Sequence, residues 1–119
     1  MTLILASQSA GRIAMLNAAG VAVEVVPALV DEDSIKTSLT EAGAKPRDLA
    51  DALAEAKARK VSRKVPTALV LGCDQICVGA DGHVFDKPKT PEDARAHLAR
   101  LSGSVHRLLS AAVICKGGA

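Results

Sequence analysis

The sequence predicts an α/β domain, because strand-like segments alternate with helical ones along its 119 residues. Two observations carry this prediction. Short apolar runs, as in residues 2–6 and 67–78, are typical of buried strands. Apolar residues three and four positions apart, as in residues 46–63, are typical of a helix with one buried face. At this length we expect a single domain over residues 1–119.

The predicted elements follow one another with clear start and stop signals. Strands are predicted at residues 2–6, 21–26, 67–78 and 105–115, and helices at residues 10–19, 46–63 and 91–101. Gly20 is expected to end the first helix. Pro46 is expected in the first turn of the second helix, and Thr90 is expected to cap the third.

The connecting segments are polar. Asp81 and Gly82 predict a hairpin turn after the third strand. Residues 30–34 are predicted to form an acidic loop. Residues 36–45, which contain few apolar side chains, are predicted to be a polar, mobile stretch.

The composition argues against nucleic acid and membrane partners. The net charge is +2, with 15 basic and 13 acidic residues, and the only aromatic residue is one Phe. Without a basic face or aromatic side chains to stack on bases, nucleic acid is not an expected partner. No apolar run approaches the ~20 residues needed to span a bilayer, and the N-terminus lacks the pattern of a signal peptide. We therefore expect a cytoplasmic protein.

Three cysteines, Cys73, Cys77 and Cys115, raise the question of a disulfide or a metal site. Disulfides are rare in the cytoplasm. Cys73 and Cys77 are predicted to share one face of a strand, but no His or third Cys lies nearby at the spacing of a zinc site. We therefore interpret the cysteines as small buried side chains.

The stretch LILASQSAGR, residues 3–12, joins the first strand to the first helix through small hydroxyl residues. A helix N-terminus offers unpaired backbone N–H groups and the positive end of the helix dipole, which favour an anion. Ser7 and Ser9 add hydroxyl donors, and Arg12 can bind phosphate oxygens through two hydrogen bonds. The alternative, equally compatible with the spacing, is that Ser9 only caps the helix and Arg12 points into water.

Asp74 interrupts an otherwise apolar strand, where a buried charge is costly unless it is paired or binds a cation. It either caps a bend in the sheet or lies at a strand end in a ligand cleft. The acidic residues 31–33 form either a solvated turn or, through Glu32, a second donor. Glu32 and Asp74 together would provide oxygen ligands suited to Mg²⁺ or Mn²⁺. Lys57 and Lys87 are solvated surface residues unless a ligand recruits them.

Taken as a set, these segments resemble one family. The motifs stand in the order LILASQSAGR (3–12), VDE (30–32), LAEAKA (53–58), GCDQICV (72–78), DKPKT (86–90) and LSGSVH (101–106). In this order they resemble the Maf proteins, which are nucleoside triphosphate pyrophosphatases named for inhibition of septum formation. Six ordered motifs are far more specific than any one of them.

The resemblance implies a fold, an activity and roles for single residues. The fold would be a twisted mixed β-sheet flanked by helices, similar to that of inosine triphosphate pyrophosphatases. The activity would be hydrolysis of a nucleoside triphosphate to the monophosphate and pyrophosphate with a divalent cation. The residues that the resemblance places at the phosphates are Ser7, Ser9, Arg12, Lys57 and Lys87. It places Glu32 and Asp74 at the metal and makes Asp74 the proton acceptor.

Base specificity is implied to depend on Gly11 and Gln75. Gln75, directly after Asp74, resembles the 7-methyl-GTP pyrophosphatase subgroup rather than the members that favour dTTP and UTP. Ala10 and Gly11 depart from the family, which usually has Pro and then Arg or a bulky residue there. We expect these departures to affect the choice of base and not the phosphate chemistry.

The resemblance covers the N-terminal three-fifths of the family's usual length. We therefore expect the fold to lack its C-terminal part, including the segment that completes the nucleotide pocket, and the scarcity of aromatic residues agrees with this. The resemblance also implies a homodimer. The alternative function is a non-catalytic nucleotide-binding protein that regulates septum formation through protein contacts.

Overall fold

A computed structural model describes residues 2–119 of the chain, which form a five-stranded sheet and four helices. The elements are β1 (Leu3–Leu5), α1 (Ala10–Ala18), β2 (Val23–Val25), α2 (Glu32–Glu41), α3 (Pro46–Lys64), β3 (Val70–Gly79), β4 (Val84–Phe85), α4 (Pro91–Leu101) and β5 (His106–Cys115). The predicted α/β fold class is confirmed, and each predicted strand and helix is present close to its expected bounds. Within residues 2–119, none of the four helices combines the length and the apolar composition that crossing a membrane requires.

Strand β3 is the centre of the sheet, and its two edges are used differently. Along one edge it pairs antiparallel with β5 over its whole length, from Val70 opposite Cys115 to Gly79 opposite His106. Along the other edge β1 pairs parallel with the start of β3, and β4 pairs antiparallel with residues 77–78. Strand β2 extends the sheet beyond β1. The sheet is therefore mixed, as the family resemblance implies.

Helix α3 covers one face of the sheet and forms the core with it. Alternate residues of β3 are buried on this side. The main cluster, which joins α3 to β3 and β5, contains Leu49, Ala50, Leu53, Ala54, Ile76, Val78 and Ala111. Gly72 lets the helix come close, because a Cβ atom there would lie only 2.2 Å from the carbonyl oxygen of Ala54. This approach brings α3 side chains within reach of the middle of β3.

The helix ends confirm the predicted start and stop signals. Ser9 caps α1 and Thr90 caps α4, each through a side-chain oxygen that accepts from a backbone N–H of the first turn. Pro46 lies in the first turn of α3, where an N–H would have no partner within the helix. Gly20, with a φ of +77°, follows α1 in the left-handed conformation that favours glycine. Local sequence therefore sets these boundaries.

The acidic loop predicted for residues 30–34 and the mobile stretch predicted for residues 36–45 are wrong, because most of this segment forms α2. An aspartate caps the helix, and two acidic side chains in its first turn complement the positive end of the helix dipole. Ile35 and Leu39, one turn apart, pack against the main cluster. The acidic residues therefore begin a packed helix.

The interpretation of the cysteines as buried side chains holds only for Cys115. Cys73 and Cys77 share one face of β3, as predicted, but this is the face away from α3, and both are half-exposed. All three thiols are free. The face of β3 opposite α3 is therefore partly open.

Candidate active site

The loop between β1 and α1 arranges its hydroxyl groups through backbone hydrogen bonds. Ser7 is buried, and its Oγ accepts from the backbone N–H of Ser9 at 3.1 Å. The Oγ of Ser9 accepts from the backbone N–H of Arg12 at 3.3 Å, which is the predicted helix cap. Because each hydroxyl oxygen acts as an acceptor here, its own hydrogen remains available to donate. Capping the helix and binding an anion are therefore compatible roles for this loop.

Asp74 lies in the middle of β3, on the face that α3 covers. It is in regular register with β5, opposite Ala111, so both predicted placements are wrong: it neither caps a bend in the sheet nor lies at a strand end. The pairing of β1 with β3 stops at Leu71 and that of β4 begins at Cys77, which leaves the intervening edge of β3 open on this side. Asp74 is only 8% exposed, and its Oδ2 has no hydrogen-bond partner among residues 2–119. Because an unpaired buried oxygen is costly, this atom points to a ligand.

Lys57 joins two carboxylates. Its Nζ donates to Asp74 Oδ1 at 3.1 Å and lies 2.7 Å from Glu32 Oε1. The Lys57 side chain is 13% exposed, so it is not a solvated surface lysine. Helices α2 and α3 and strand β3 each supply one member of this triplet. The ammonium group offsets part of the cost of burying Asp74.

The surrounding charges change the acidity of two groups in the site. Burial raises the pKa of Glu32, but a hydrogen bond from Lys57 and the charges of three lysines outweigh it and hold the pKa below its ordinary value of 4.5. These lysines are Lys57, Lys87 and Lys36. Burial raises the pKa of the Cys73 thiol, and the neighbouring cationic groups only partly oppose this. At neutral pH, Glu32 is therefore a carboxylate and Cys73 a protonated thiol.

The residues predicted to contact phosphates line one cavity of about 340 Å³, which we call the cationic cavity. They are Ser7, Ser9, Arg12, Lys57 and Lys87, and Glu32, which is predicted at the metal, lines the same cavity. Two hydroxyls and three cationic side chains suit a polyanion such as a triphosphate. Gln8 and Ala28 also line the cavity, and sequence reasoning missed both. The signal for Gln8 was its position between the two serines.

A second cavity, of about 470 Å³, adjoins the cationic cavity and contains the remaining predicted residues. Gly11, Asp74 and Gln75 line it, while Ser9 and Arg12 line both cavities. Its other lining residues, which sequence reasoning missed, are Met15, Cys73, Ser110, Ala111 and Ala112. They come from three separate elements, so no local pattern marks them. Asp74 does not line the cationic cavity but is linked to it through Lys57.

The possible protein ligands for a metal are two carboxylates. Within residues 2–119 no group of three or more His, Cys, Asp or Glu side chains could hold an ion. Mg²⁺ is commonly bound by one or two carboxylates together with the phosphates of a substrate. Glu32 and Asp74, which converge on Lys57, fit that arrangement, and Asp74 Oδ2 is free to act as a ligand.

Comparison with known proteins assigns the chain to a family. The family model described as Maf-like protein matches residues 2–118. The chain belongs to the Maf family. Among similar proteins, a nucleoside triphosphate pyrophosphatase of Sphingopyxis alaskensis is 54% identical over 119 residues. A 7-methyl-GTP pyrophosphatase of Mesorhizobium japonicum is 53% identical over 116 residues.

This Maf chain spans less than two thirds of the length of these relatives. The match covers 100% of the chain but 60% of the Sphingopyxis protein. For the Mesorhizobium protein the corresponding shares are 98% and 58%. Nucleoside triphosphate pyrophosphatase 1 of a Jannaschia species is 54% identical, with shares of 94% and 56%. The resemblance carried by the six motifs is thus confirmed at the level of the family.

Proposed function

We propose that this Maf chain hydrolyses a nucleoside triphosphate to the nucleoside monophosphate and pyrophosphate. The relatives named as pyrophosphatases support the proposal. One observation on the site carries it: a buried carboxylate with an unpaired oxygen, Asp74, lies beside a cavity lined by three cationic side chains and two hydroxyls. This combination suits a reaction in which a base activates water next to bound phosphates.

The triphosphate would bind in the cationic cavity. Arg12 is suited to two parallel hydrogen bonds with phosphate oxygens, whereas Lys57 and Lys87 contribute compact charges. The hydroxyl groups of Ser7 and Ser9 add neutral donors. The same groups would stabilise the negative charge that develops on the phosphates during the reaction.

Asp74 is the proposed general base. Lys57 binds its Oδ1, which leaves Oδ2 to accept a proton from water. The water oxygen forms a bond to a phosphorus atom of the α,β-anhydride while the bond to the leaving oxygen breaks. The proton moves to Asp74, and the cationic side chains stabilise the pyrophosphate as it forms.

Glu32 and Asp74 would hold Mg²⁺ or Mn²⁺ together with the phosphates of the substrate. A bound divalent cation neutralises phosphate charge and makes bound water more acidic. Glu32 is suited to this role because its lowered pKa keeps it ionised at neutral pH. Asp74 would contribute Oδ2, whose two lone pairs allow this oxygen to face both the cation and the attacking water.

The nucleobase would bind in the second cavity, where Gly11 and Gln75 lie. The amide of Gln75 donates from Nε2 to Ser110 Oγ at 3.0 Å, which restricts its orientation. We infer a preference for a modified purine such as 7-methylguanine. The sequence around Gln75 and the name of the Mesorhizobium relative support this inference.

Pyrophosphate release in the presence of Mg²⁺ or Mn²⁺ tests the proposal with 7-methyl-GTP, UTP, dTTP and CTP as substrates. We expect turnover with the highest kcat/KM for 7-methyl-GTP. Asp74→Asn should lower kcat by about 10²- to 10⁴-fold, the usual contribution of a general base. The matched control is Asp51→Asn, at an exposed position of α3, which should retain the rate of the unmodified chain.

Two outcomes would contradict the enzymatic proposal. One is full activity of Asp74→Asn, which would exclude this carboxylate as the base. The other is nucleotide binding by the unmodified chain, measured by calorimetry, without any turnover. That second outcome would favour the alternative function, a nucleotide-binding regulator of septum formation.

We further propose that the protein acts in the cytoplasm as a homodimer, as the family resemblance implies. Light scattering on a size-exclusion column should then give twice the mass of one chain. A monomer mass across the accessible concentration range would contradict the dimer without affecting the proposed chemistry.

A further inference from the structure

An ion pair between Lys36 and Asp86 joins two segments that both contribute to the cationic cavity. Lys36 Nζ lies 3.1 Å from Asp86 Oδ1. Lys36 stands one turn after Glu32 on α2, and Asp86 directly precedes Lys87. The two partners, which are 50 positions apart in the chain, are thus close neighbours of two cavity residues.

The ion pair lies next to the cationic cavity but does not line it. Glu32 and Lys87 line the cationic cavity. Lys36 and Asp86 instead line a third cavity, of about 700 Å³, between α2 and the β3–β4 turn. Helix α2 and the loop of residues 86–90 therefore border both cavities, and the ion pair lies one helix turn along α2 from Glu32.

Helix α2 and this loop are fixed unequally. Helix α2 is anchored, because Ile35 and Leu39 pack against the main cluster and Glu32 pairs with Lys57. The loop of residues 86–90 is exposed along its whole length. Within residues 2–119 no other hydrogen bond or ion pair joins α2 to this loop. Between its two ends, which join β4 and α4, the ion pair is therefore the one contact of this kind that holds the loop against α2.

We propose that Lys36 and Asp86 are positioning residues that hold Lys87 at the cationic cavity and thereby strengthen binding of the triphosphate. The proposal rests on the proposed function. Lys87 precedes Pro88, which restricts the Lys87 backbone to extended conformations. Fixing Asp86 therefore also limits where the Lys87 side chain can reach. A partly exposed pair contributes little to stability, so its role is geometric.

The substitution Asp86→Asn separates this role from a simple effect of charge. Removing a negative charge near the cavity would, by charge alone, strengthen binding of an anionic substrate. Loss of the positioning contact would instead weaken it. We expect KM for nucleoside triphosphate hydrolysis to rise about three- to fivefold, with kcat changed by less than about twofold. The Kd for inorganic triphosphate should rise by the same factor.

Two further variants complete the experiment. Exchange of the partners, Lys36→Asp with Asp86→Lys, should restore KM because it rebuilds the pair with reversed polarity. Asp81→Asn is the matched control, since Asp81 forms a similarly exposed pair with Arg100 at 2.9 Å in a turn that lines neither the cationic nor the second cavity. This control should leave KM unchanged.

Hydrogen exchange makes the result independent of turnover. The backbone amides of Asp86, Lys87, Lys89 and Thr90 should exchange faster in Asp86→Asn and return to the original rate in the double variant Lys36→Asp with Asp86→Lys. Unchanged exchange, or an unchanged or lowered KM, would overturn the positioning role while leaving the proposed function intact. Absence of turnover by the unmodified chain would contradict the proposed function, and the Kd for inorganic triphosphate would then decide the positioning role.

Discussion

The two faces of β3 differ in how deeply their polar side chains are buried. Toward α3, alternate residues of the strand are buried, and Asp74 is one of them. On the opposite face Cys73 and Cys77 are half-exposed, and Gln75 is exposed. The strand therefore carries its charged side chain on its most buried face and its neutral polar side chain on the face that water reaches.

We infer from this difference that stability alone does not explain a carboxylate at position 74. Replacing a buried ion pair by apolar residues of similar size is often neutral or stabilising, so packing alone would favour an apolar side chain at this position. A buried carboxylate with one paired and one unpaired oxygen is instead typical of a functional site. Substitution of Gln75, which lies on the exposed face, should have little effect on the packing of the core.

The largest loss of stability on the covered face of β3 is expected from Lys57→Met. The variant keeps most of the unbranched side chain but leaves Asp74 as a buried charge without its partner. We expect a loss of about 3 kcal/mol in the free energy of unfolding at pH 7, measured by urea denaturation. Arg59→Met on the exposed side of α3 is the matched control and should change the stability by less than about 0.5 kcal/mol.

A second variant identifies the cause of that loss. Adding Asp74→Asn to Lys57→Met removes the unpaired charge, so the double variant should be more stable than Lys57→Met alone. If the double variant were less stable, the lysine would act through packing of its aliphatic chain and not through charge.

An intermediate loss of stability is expected from a substitution at Gly72, where α3 and β3 come closest. Gly72→Ala places a Cβ atom 2.2 Å from the carbonyl oxygen of Ala54, so the helix must move away from the strand. We expect the free energy of unfolding to fall by about 2 kcal/mol, as is usual for an overpacked core, and pyrophosphate release to fall with it because Lys57 moves with the helix.

Gly79→Ala, at the end of the same strand, is the control for Gly72→Ala. There a Cβ atom would first meet Asp81 Oδ1 at 3.0 Å, the end of a side chain in an exposed turn. This control should be less destabilising than Gly72→Ala and should not reduce activity. Equal losses in both variants would show that the close approach at Gly72 does not position the triplet.

Local sequence predicts some elements of this fold and not others. The ends of α1 and α4 were predictable because Ser9 and Thr90 satisfy backbone donors that lie a few positions away. The helix at residues 32–41 was missed because its apolar side is narrow, consisting of Ile35 and Leu39. An acidic cap followed by acidic residues is itself a helix signal, because these side chains bind the free N–H groups and complement the helix dipole.

The candidate site likewise has one part that local sequence predicts and one part that depends on packing. The loop that contains Ser7 and Ser9 is a local feature, and its sequence indicates both the helix cap and the anion-binding donors. The triplet of Lys57, Glu32 and Asp74 depends on how α2 and α3 pack against β3, which no local pattern specifies. The ordered family motifs identified its members, but the contact between them is a property of the packing.

The smallest loss of stability is expected from replacing Glu32, the half-exposed member of the triplet. The pKa of Glu32 is held below its ordinary value of 4.5, because its hydrogen bond to Lys57 and the nearby lysine charges outweigh burial. A lowered pKa in the folded state means that ionised Glu32 stabilises the fold above pH 4.5 and that this contribution is lost as the pH falls through the lowered value. Glu32→Gln should therefore lower the melting temperature at pH 7.

The difference in melting temperature between Glu32→Gln and the unmodified chain should shrink as the pH falls below 4.5 and disappear at the lowest pH, where Glu32 is protonated in both the folded and unfolded states. Glu41→Gln, at the exposed end of the same helix, is the control, because Glu41 forms no ion pair within residues 2–119 and should show no such difference at pH 7. A difference for Glu32→Gln that persisted unchanged into acid would mean that the side chain acts through packing. In that case only the Lys57–Asp74 pair would bring charge to the face of β3 that α3 covers, because Glu32 would stabilise the fold without its charge.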